Sequence, residues 1–146
     1  MSRQQGFGAI AAIVVLVILA VLAAAIVSIG TAQQIGSAQD VMSARAWQAA
    51  RAGNEWGLYQ ALKGTWTSCS SASQTLDLTA DTGFRVTVSC DSWQYNEGES
   101  VPGTPQTVRV YRITAVACPA AACPASDASV AGPGYVERTR VVLATN

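Results

Sequence analysis

The sequence contains no histidine, and this absence removes more chemistry than any other feature of its composition. Histidine is the usual general base, the commonest metal ligand and the partner of serine and cysteine nucleophiles. A glycine-rich phosphate loop ending in Gly-Lys-Ser or Gly-Lys-Thr is absent as well. The composition therefore favours a protein that is not an enzyme and that requires neither a cofactor nor a metal.

Charge is also scarce: charged residues make up 12% of the chain, with nine basic and nine acidic side chains scattered singly. Binding to nucleic acid requires a clustered basic patch, so no nucleic-acid partner is expected. Four arginines fall on two predicted strands: Arg109, Arg112, Arg138 and Arg140. Because glutamates interrupt this series, we interpret it as a solvated face of a sheet.

The cysteines are few but even in number, and all four lie well after the apolar N-terminal block: Cys69, Cys90, Cys118 and Cys123. An even number in a small domain indicates two disulfides and an oxidising compartment outside the cytoplasm. Their spacing lacks the paired C-x-x-C clusters of a four-ligand zinc site. Three connectivities are open, and we expect Cys69–Cys90 and Cys118–Cys123, the second closing a small loop.

The apolar residues are concentrated near the N-terminus, where residues 7–29 carry no charge and only one polar side chain, Ser28. A helix of this length spans roughly 34 Å, enough to cross a hydrocarbon core of about 30 Å. Arg3 on the short N-terminal side favours a cytoplasmic N-terminus. This orientation places the cysteines on the outside, in agreement with disulfides.

Three interpretations of this start compete: a cleaved signal peptide, a plain membrane anchor and a prepilin leader. The signal peptide fits the small residues at 23–25, and the prepilin leader fits the pair Gly6-Phe7. In the third interpretation prepilin peptidase cuts between Gly6 and Phe7 and methylates the new amine of Phe7. The leader would be residues 1–6, followed by a transmembrane helix half at 7–30.

The helical pattern continues past the apolar run, which favours the prepilin interpretation over a signal peptide. Residues 31–64 contain no proline and read as an amphipathic helix half, with residues of one face at Ile35, Met42, Ala46, Ala49, Gly53 and Trp56. Ala49, Gly53 and Gly57 narrow this face, so that a neighbouring backbone can approach closely. Trp47, Leu58 and Leu62 are placed on the opposite side, so the helix requires two partners.

Strand patterns fill residues 65–146, which we expect to form a β-rich globular head. Four segments are rich in β-branched and aromatic residues: 75–79, 84–90, 107–117 and 135–144. Residues 81–83 (Asp-Thr-Gly) predict a hairpin turn, and residues 91–106 and 119–134 predict loops. The expected fold is α+β, type IV pilin-like, with one long N-terminal helix packed on a four-stranded antiparallel sheet.

Two stretches carry a resemblance to a known family: Gly6-Phe-Gly-Ala-Ile-Ala-Ala and Ala44-Arg-Ala-Trp-Gln-Ala-Ala-Arg-Ala-Gly-Asn-Glu-Trp-Gly57. The pair Gln33-Gln34, the stretch Val110-Tyr-Arg-Ile-Thr-Ala-Val-Ala-Cys118 and the stretch Tyr135-Val-Glu-Arg138 extend it along nearly the whole chain. These residues resemble the MshP family of MSHA pilus biogenesis proteins, which are minor pilin-like components. The resemblance implies an assembly subunit of a type IV pilus that passes through the inner membrane and joins other pilin and minor pilin subunits in the fibre or at the cell surface.

One position departs from the wider pilin pattern. Most pilins carry a glutamate four residues after the methylated phenylalanine, and here that position is Ala11. The glutamate is thought to pair with the N-terminal ammonium of the subunit already in the fibre, and Ala11 cannot make that pair. We therefore expect a subunit at or near the pilus tip, in a priming complex. The alternative is a minor subunit held at any position by apolar packing of its helix.

Two other functions are open at this point. The head could act as an adhesin or ligand-binding module, with Trp66, Trp93 and Tyr95 as candidate contacts, although core packing is the commoner fate of such side chains. The chain could also be a subunit of the related type II secretion pseudopilus, and only the family resemblance favours a pilus over it.

Overall fold

The structure, a computed structural model, describes residues 5–132 and 134–146, with the side chains of residues 5–7, 31 and 32 outside the description. It contains one helix, α1 (Gln5–Leu62), and four strands: β1 (Ala72–Leu78), β2 (Phe84–Val101), β3 (Thr104–Cys118) and β4 (Arg138–Thr145). A short 3₁₀ helix (Ala128–Ala131) precedes β4. One long helix packed on a four-stranded antiparallel sheet is an α+β fold, which confirms the predicted fold class and is consistent with a pilin-like architecture.

The chain divides into two compact units, Met1–Asp40 and Val41–Asn146. Within the first unit, the side chains of residues 8–29 are exposed, and this stretch is long and apolar enough to cross a membrane. The second unit combines the end of α1 with the entire sheet. The expected division at residues 64 and 65 therefore lies inside one compact unit.

The sheet has the strand order β1-β2-β3-β4, with every neighbouring pair antiparallel. Between β1 and β2, Leu78 pairs with Phe84, and Gly83 adopts a left-handed φ of +84°. This confirms the predicted hairpin turn at residues 81–83, because glycine takes a positive φ without the steric cost of a Cβ atom. Residues 119–134 contain no strand among those described, as predicted.

The predicted loop at residues 91–106 is wrong. β2 and β3 continue through it as a two-stranded ribbon, closed by a turn in which Val101 pairs with Thr104. Pro102 and Gly103 are the central residues of this turn, and Gly103 has a φ of +85°. The ribbon is polar and exposed on both sides near its tip, so its residues lack the alternation that marks a strand in a sequence.

The core lies on one face of the two central strands, where every second side chain is buried: Phe84, Val86, Val88 and Cys90 from β2, and Tyr111, Ile113, Ala115 and Ala117 from β3. The intervening residues, such as Thr87 and Thr114, lie on the other face and are half-buried. The core face packs against α1, as the period of two residues along a strand dictates. Strand boundaries differ from those predicted by about three residues at β1 and β4, as is usual for element ends.

Candidate interaction surfaces

The small-residue face of α1 lies against the chain's own sheet. Ala46 and Ala49 are fully buried, and Gly53 and Gly57 are buried with them. A Cβ atom added at Gly53 would lie 2.5 Å from Val86 Cγ1, and one added at Gly57 would lie 2.5 Å from Ile113 Cγ2. The close backbone approach expected of these residues is therefore made within one chain.

Two tryptophans close one side of this packed face. Trp56, predicted to lie on the face, is half-buried, and its ring meets that of Trp66 edge to face at 5.0 Å between centroids. Both tryptophans pack against the buried core. Trp66 therefore belongs to the packing of the head, which makes it the least suited of the three candidate aromatic contacts to meet a ligand.

Asn54 is a buried polar residue that the sequence patterns did not single out. It is 3% exposed, and neither its Oδ1 nor its Nδ2 atom has a hydrogen-bond partner in the part of the chain that the structure describes. A buried amide without partners costs free energy, because it loses its hydrogen bonds to water on folding. The sequence feature that could have predicted its burial is its position between Gly53 and Gly57, on the narrow face of the helix.

The other flank of the helix is partly open. Trp47 is 47% exposed, and the guanidinium of Arg140 on β4 lies 4.8 Å from the centre of its ring. Next to this contact, Arg138 donates a hydrogen bond to Ser43 Oγ (2.5 Å). Leu62 is exposed as predicted for this side, whereas Leu58 packs against the core, because the helix presents it at the edge of the buried face.

The outer face of the sheet, which points away from α1, carries exposed apolar side chains on two of its strands. Trp93 and Tyr95 on β2 and Val141 and Leu143 on β4 all lie on this face, and each is at least 39% exposed. The guanidinium of Arg112 lies 4.6 Å from the centre of the Trp93 ring. Two of the three candidate aromatic contacts are thus on the surface, on one side of one strand.

Polar side chains also lie on the outer face. The hydroxyls of Thr75 and Thr87 are 2.9 Å apart, and Arg85 forms an ion pair with Asp77 at 3.1 Å. The four arginines of the predicted solvated face are divided between the two faces of the sheet, since Arg138 and Arg140 point to the side of α1 and Arg112 to the other. They form no continuous basic stripe.

Both disulfides have the expected pairing. Cys69–Cys90, with 5.3 Å between Cα atoms, ties the segment after α1 to the middle of β2. Cys118–Cys123, with 5.7 Å between Cα atoms, closes a small loop directly after β3. Tyr111 also holds the segment after α1, because its hydroxyl donates to the carbonyl oxygen of Thr67 at 3.0 Å.

Among the described residues, three titratable groups have a shifted pKa: Asp77, Asp127 and Tyr135. Hydrogen bonds from the hydroxyl and amide of Thr79, followed by the charge of Arg85, lower the pKa of Asp77. Bonds from Ser129 lower the pKa of Asp127, while burial and the bond to Glu137 raise the pKa of Tyr135.

The predicted processing site lies at the beginning of α1, and the side chains of Gly6 and Phe7 fall outside the described part of the structure, as does most of the leader. Ala11 is exposed on the helix. Across the described residues, no group of three or more cysteine, aspartate or glutamate side chains is placed to hold a metal ion.

Comparison of the chain with protein-family models, with characterised proteins and with solved structures finds no match.

Proposed function

We propose that this chain is a minor pilin-like structural subunit of an MSHA-type type IV pilus, acting in assembly and not as an enzyme. The observation that carries the proposal is the division of α1. Its first part is apolar and exposed, while its second part packs through small residues on a four-stranded antiparallel sheet. A filament subunit needs both, because one part must be available to lipid or to other subunits and the other must hold the head.

The location follows from the same division. The exposed apolar stretch inserts into the inner membrane, the head lies outside the cytoplasm, and the two disulfides form in that oxidising compartment. Prepilin peptidase cuts between Gly6 and Phe7, and the subunit then joins other pilins and minor pilins at the cell surface.

Within the fibre, we place the subunit at or near the tip. Ala11 provides no carboxylate for the amine of a preceding subunit, but the amine of Phe7 is still available to the glutamate of the next one. Immunogold labelling at fibre ends is the expected result. Labelling spread evenly along purified fibres would leave apolar helix packing as the sole means of attachment.

Processing is the most direct test of the proposal. The protein isolated from membranes of its native host should begin at Phe7 and carry one added methyl group, as measured by intact mass and N-terminal sequencing. A Gly6→Val variant should keep its leader, whereas Gly8→Val, the same change two residues later, should be cut normally. A chain cut near Ala25 would indicate a secreted domain instead of a pilin. A chain that retains Met1 would indicate a plain membrane anchor.

An adhesin displayed by the pilus is the second candidate, favoured by the exposure of Trp93 and Tyr95 on one face. A type II secretion pseudopilin is the third. A deletion strain separates them: loss of pili supports an assembly subunit, normal pili with lost adhesion support the adhesin, and lost secretion with normal pili supports the pseudopilin.

A further inference from the structure

The open edge of β4 is a candidate site for a strand from another polypeptide. Arg109 and Asn146 exchange both backbone hydrogen bonds, at 3.3 and 3.1 Å. The register between β3 and β4 then runs without a bulge from Val110↔Thr145 to Ala117↔Arg138. Bonded pairs alternate along an antiparallel ladder, so the other residues of β4 direct their N–H and C=O groups to the open side: Thr139, Val141, Leu143 and Thr145.

These four residues include no lysine or proline, and the pairing of β4 with β3 has no bulge; the charges of this strand that point inward are Arg138 and Arg140. Edge strands are usually guarded by lysine, proline, a bulge or a charge pointing inward. Here the side chains are two threonines, a valine and a leucine, and Val141 and Leu143 are 55% and 63% exposed. In the part of the chain that the structure describes, no strand lies beside β4 on this side.

The charges on the other side of β4 define what such a strand must carry. Arg138 and Arg140 point to the helix side of the sheet and are held by Ser43 Oγ and the Trp47 ring. Neither has a carboxylate partner among the described residues, where the ion pairs are Arg51–Glu55 and Arg85–Asp77. An acidic side chain directly opposite either arginine would gain a charge-assisted hydrogen bond.

We propose that the open edge of β4 binds an extended acidic segment of a partner polypeptide, which adds to the sheet as an antiparallel fifth strand. Alternate residues of that segment face opposite sides of the sheet. Apolar residues lie beside Val141 and Leu143 on the outer face, and acidic residues lie beside Arg138 and Arg140 on the helix face. Strand addition of this kind takes affinity from backbone bonds and specificity from alternate side chains. The proposal does not depend on the pilin assignment.

The test uses the full-length chain in detergent micelles and a dye-labelled peptide, Thr-Val-Thr-Val-Glu-Thr-Glu-Thr, whose order suits antiparallel pairing. Fluorescence anisotropy should show saturable binding. The peptide with lysine in place of both glutamates should bind at least about tenfold more weakly, because like charges directly opposite each other destabilise a strand pair. A peptide methylated on alternate backbone nitrogens should not bind, and this control leaves the protein unaltered.

Variants locate the site. Val141→Pro removes an edge N–H group without removing a bond to β3, and it should abolish binding. The double variant Arg138→Gln/Arg140→Gln should lose the preference for the acidic peptide, whereas Arg45→Gln, a change at an exposed helix arginine, should keep it. Hydrogen exchange should show new protection at Val141 and Leu143 when the peptide is added.

Three results would overturn the proposal: no binding of the acidic peptide, equal binding of the acidic and lysine peptides, or full binding by Val141→Pro. Protection of the β4 amides that rises with protein concentration in the absence of peptide would make the occupant a second copy of this chain and would also overturn it.

Discussion

The two parts of α1 are both apolar, yet they are built from different residues. Residues 8–29 consist mainly of isoleucine, valine, leucine and alanine, and they are exposed around the whole helix. The end of α1 uses alanine and glycine on its buried face and keeps bulky residues, such as Trp47 and Tyr59, at its flanks or on its surface. Apolar character alone therefore does not tell which part of this helix packs on the sheet.

Side-chain volume explains the difference. At Gly53 and Gly57 the sheet approaches so closely that a single added carbon would overlap a core side chain. Large residues on the first part of the helix exclude such an approach, but they give a wide apolar surface that suits lipid. Each part of the helix is thus unsuited to the surroundings of the other. Each can be tested by a substitution that introduces the wrong residue type: a bulky residue on the packed face, or a charged residue in the apolar stretch.

Gly57→Val places a bulky β-branched residue, typical of residues 8–29, on the packed face of α1. Of the substitutions considered, it should have the largest effect on stability. The new atoms would overlap Ile113 and Val88, so the free energy of unfolding should fall by about 3 kcal/mol through overpacking. Chemical denaturation followed by tryptophan fluorescence of the full chain in detergent measures it. Gly36→Val is the matched control, because nothing lies within 4 Å of its Cβ position, and equal losses in both variants would contradict close packing.

Leu19→Arg applies the reverse exchange to the first part of the helix. A charged side chain near the middle of a membrane span costs about 3 kcal/mol of insertion free energy, so the fraction of protein in membranes should fall. Head stability should not change, because Leu19 is exposed and lies in the other compact unit. Leu19→Val is the control. A drop in head stability with Leu19→Arg would show that the two parts are not separable.

The sequence predicted the features that depend on period and residue size. The narrow face at Ala46, Ala49, Gly53 and Gly57 was visible because small residues recur at helical spacing. The hairpin at residues 81–83 was visible because glycine marks a positive φ. The disulfide pairing was one of three possibilities, and the fold brings the expected partners together.

The sequence failed where long-range contacts decide the structure. The ribbon beyond Asp91 was predicted as a loop because it carries glycines, prolines and charges, yet cross-strand pairing to β3 holds it. Leu58 was placed on the open flank because helix position alone does not show how far the sheet extends around α1. The open edge of β4 could not be predicted from the sequence, because the order of elements along the chain does not show which strand lies at the edge of the sheet.

Asn54→Leu tests whether the packed face tolerates a polar group. Leucine has nearly the shape of asparagine and removes two buried atoms without partners, so the head should gain about 1–2 kcal/mol. Gln48→Leu, an exposed change on the same helix, should stay within about 0.5 kcal/mol of the parent. If Asn54→Leu is less stable than the parent, buried water forms hydrogen bonds with the Asn54 amide, and the packed face of α1 is not dry.

Asp77→Asn should have the smallest effect, and that effect should depend on pH. Hydrogen bonds from Thr79 and the nearby Arg85 lower the pKa of Asp77 in the folded head, so its carboxylate favours folding above the ordinary aspartate value. That contribution is lost as the pH falls through the lowered pKa. The parent should therefore be slightly more stable than the variant at pH 7, and the difference should vanish in acid. Asp81→Asn, at a neighbouring turn residue with no side-chain hydrogen bond in the described structure, is the matched control for the loss of a carboxylate. Because the group is exposed and lies on the face of the sheet that points away from α1, a variant that also altered membrane association would contradict the separation of head and anchor.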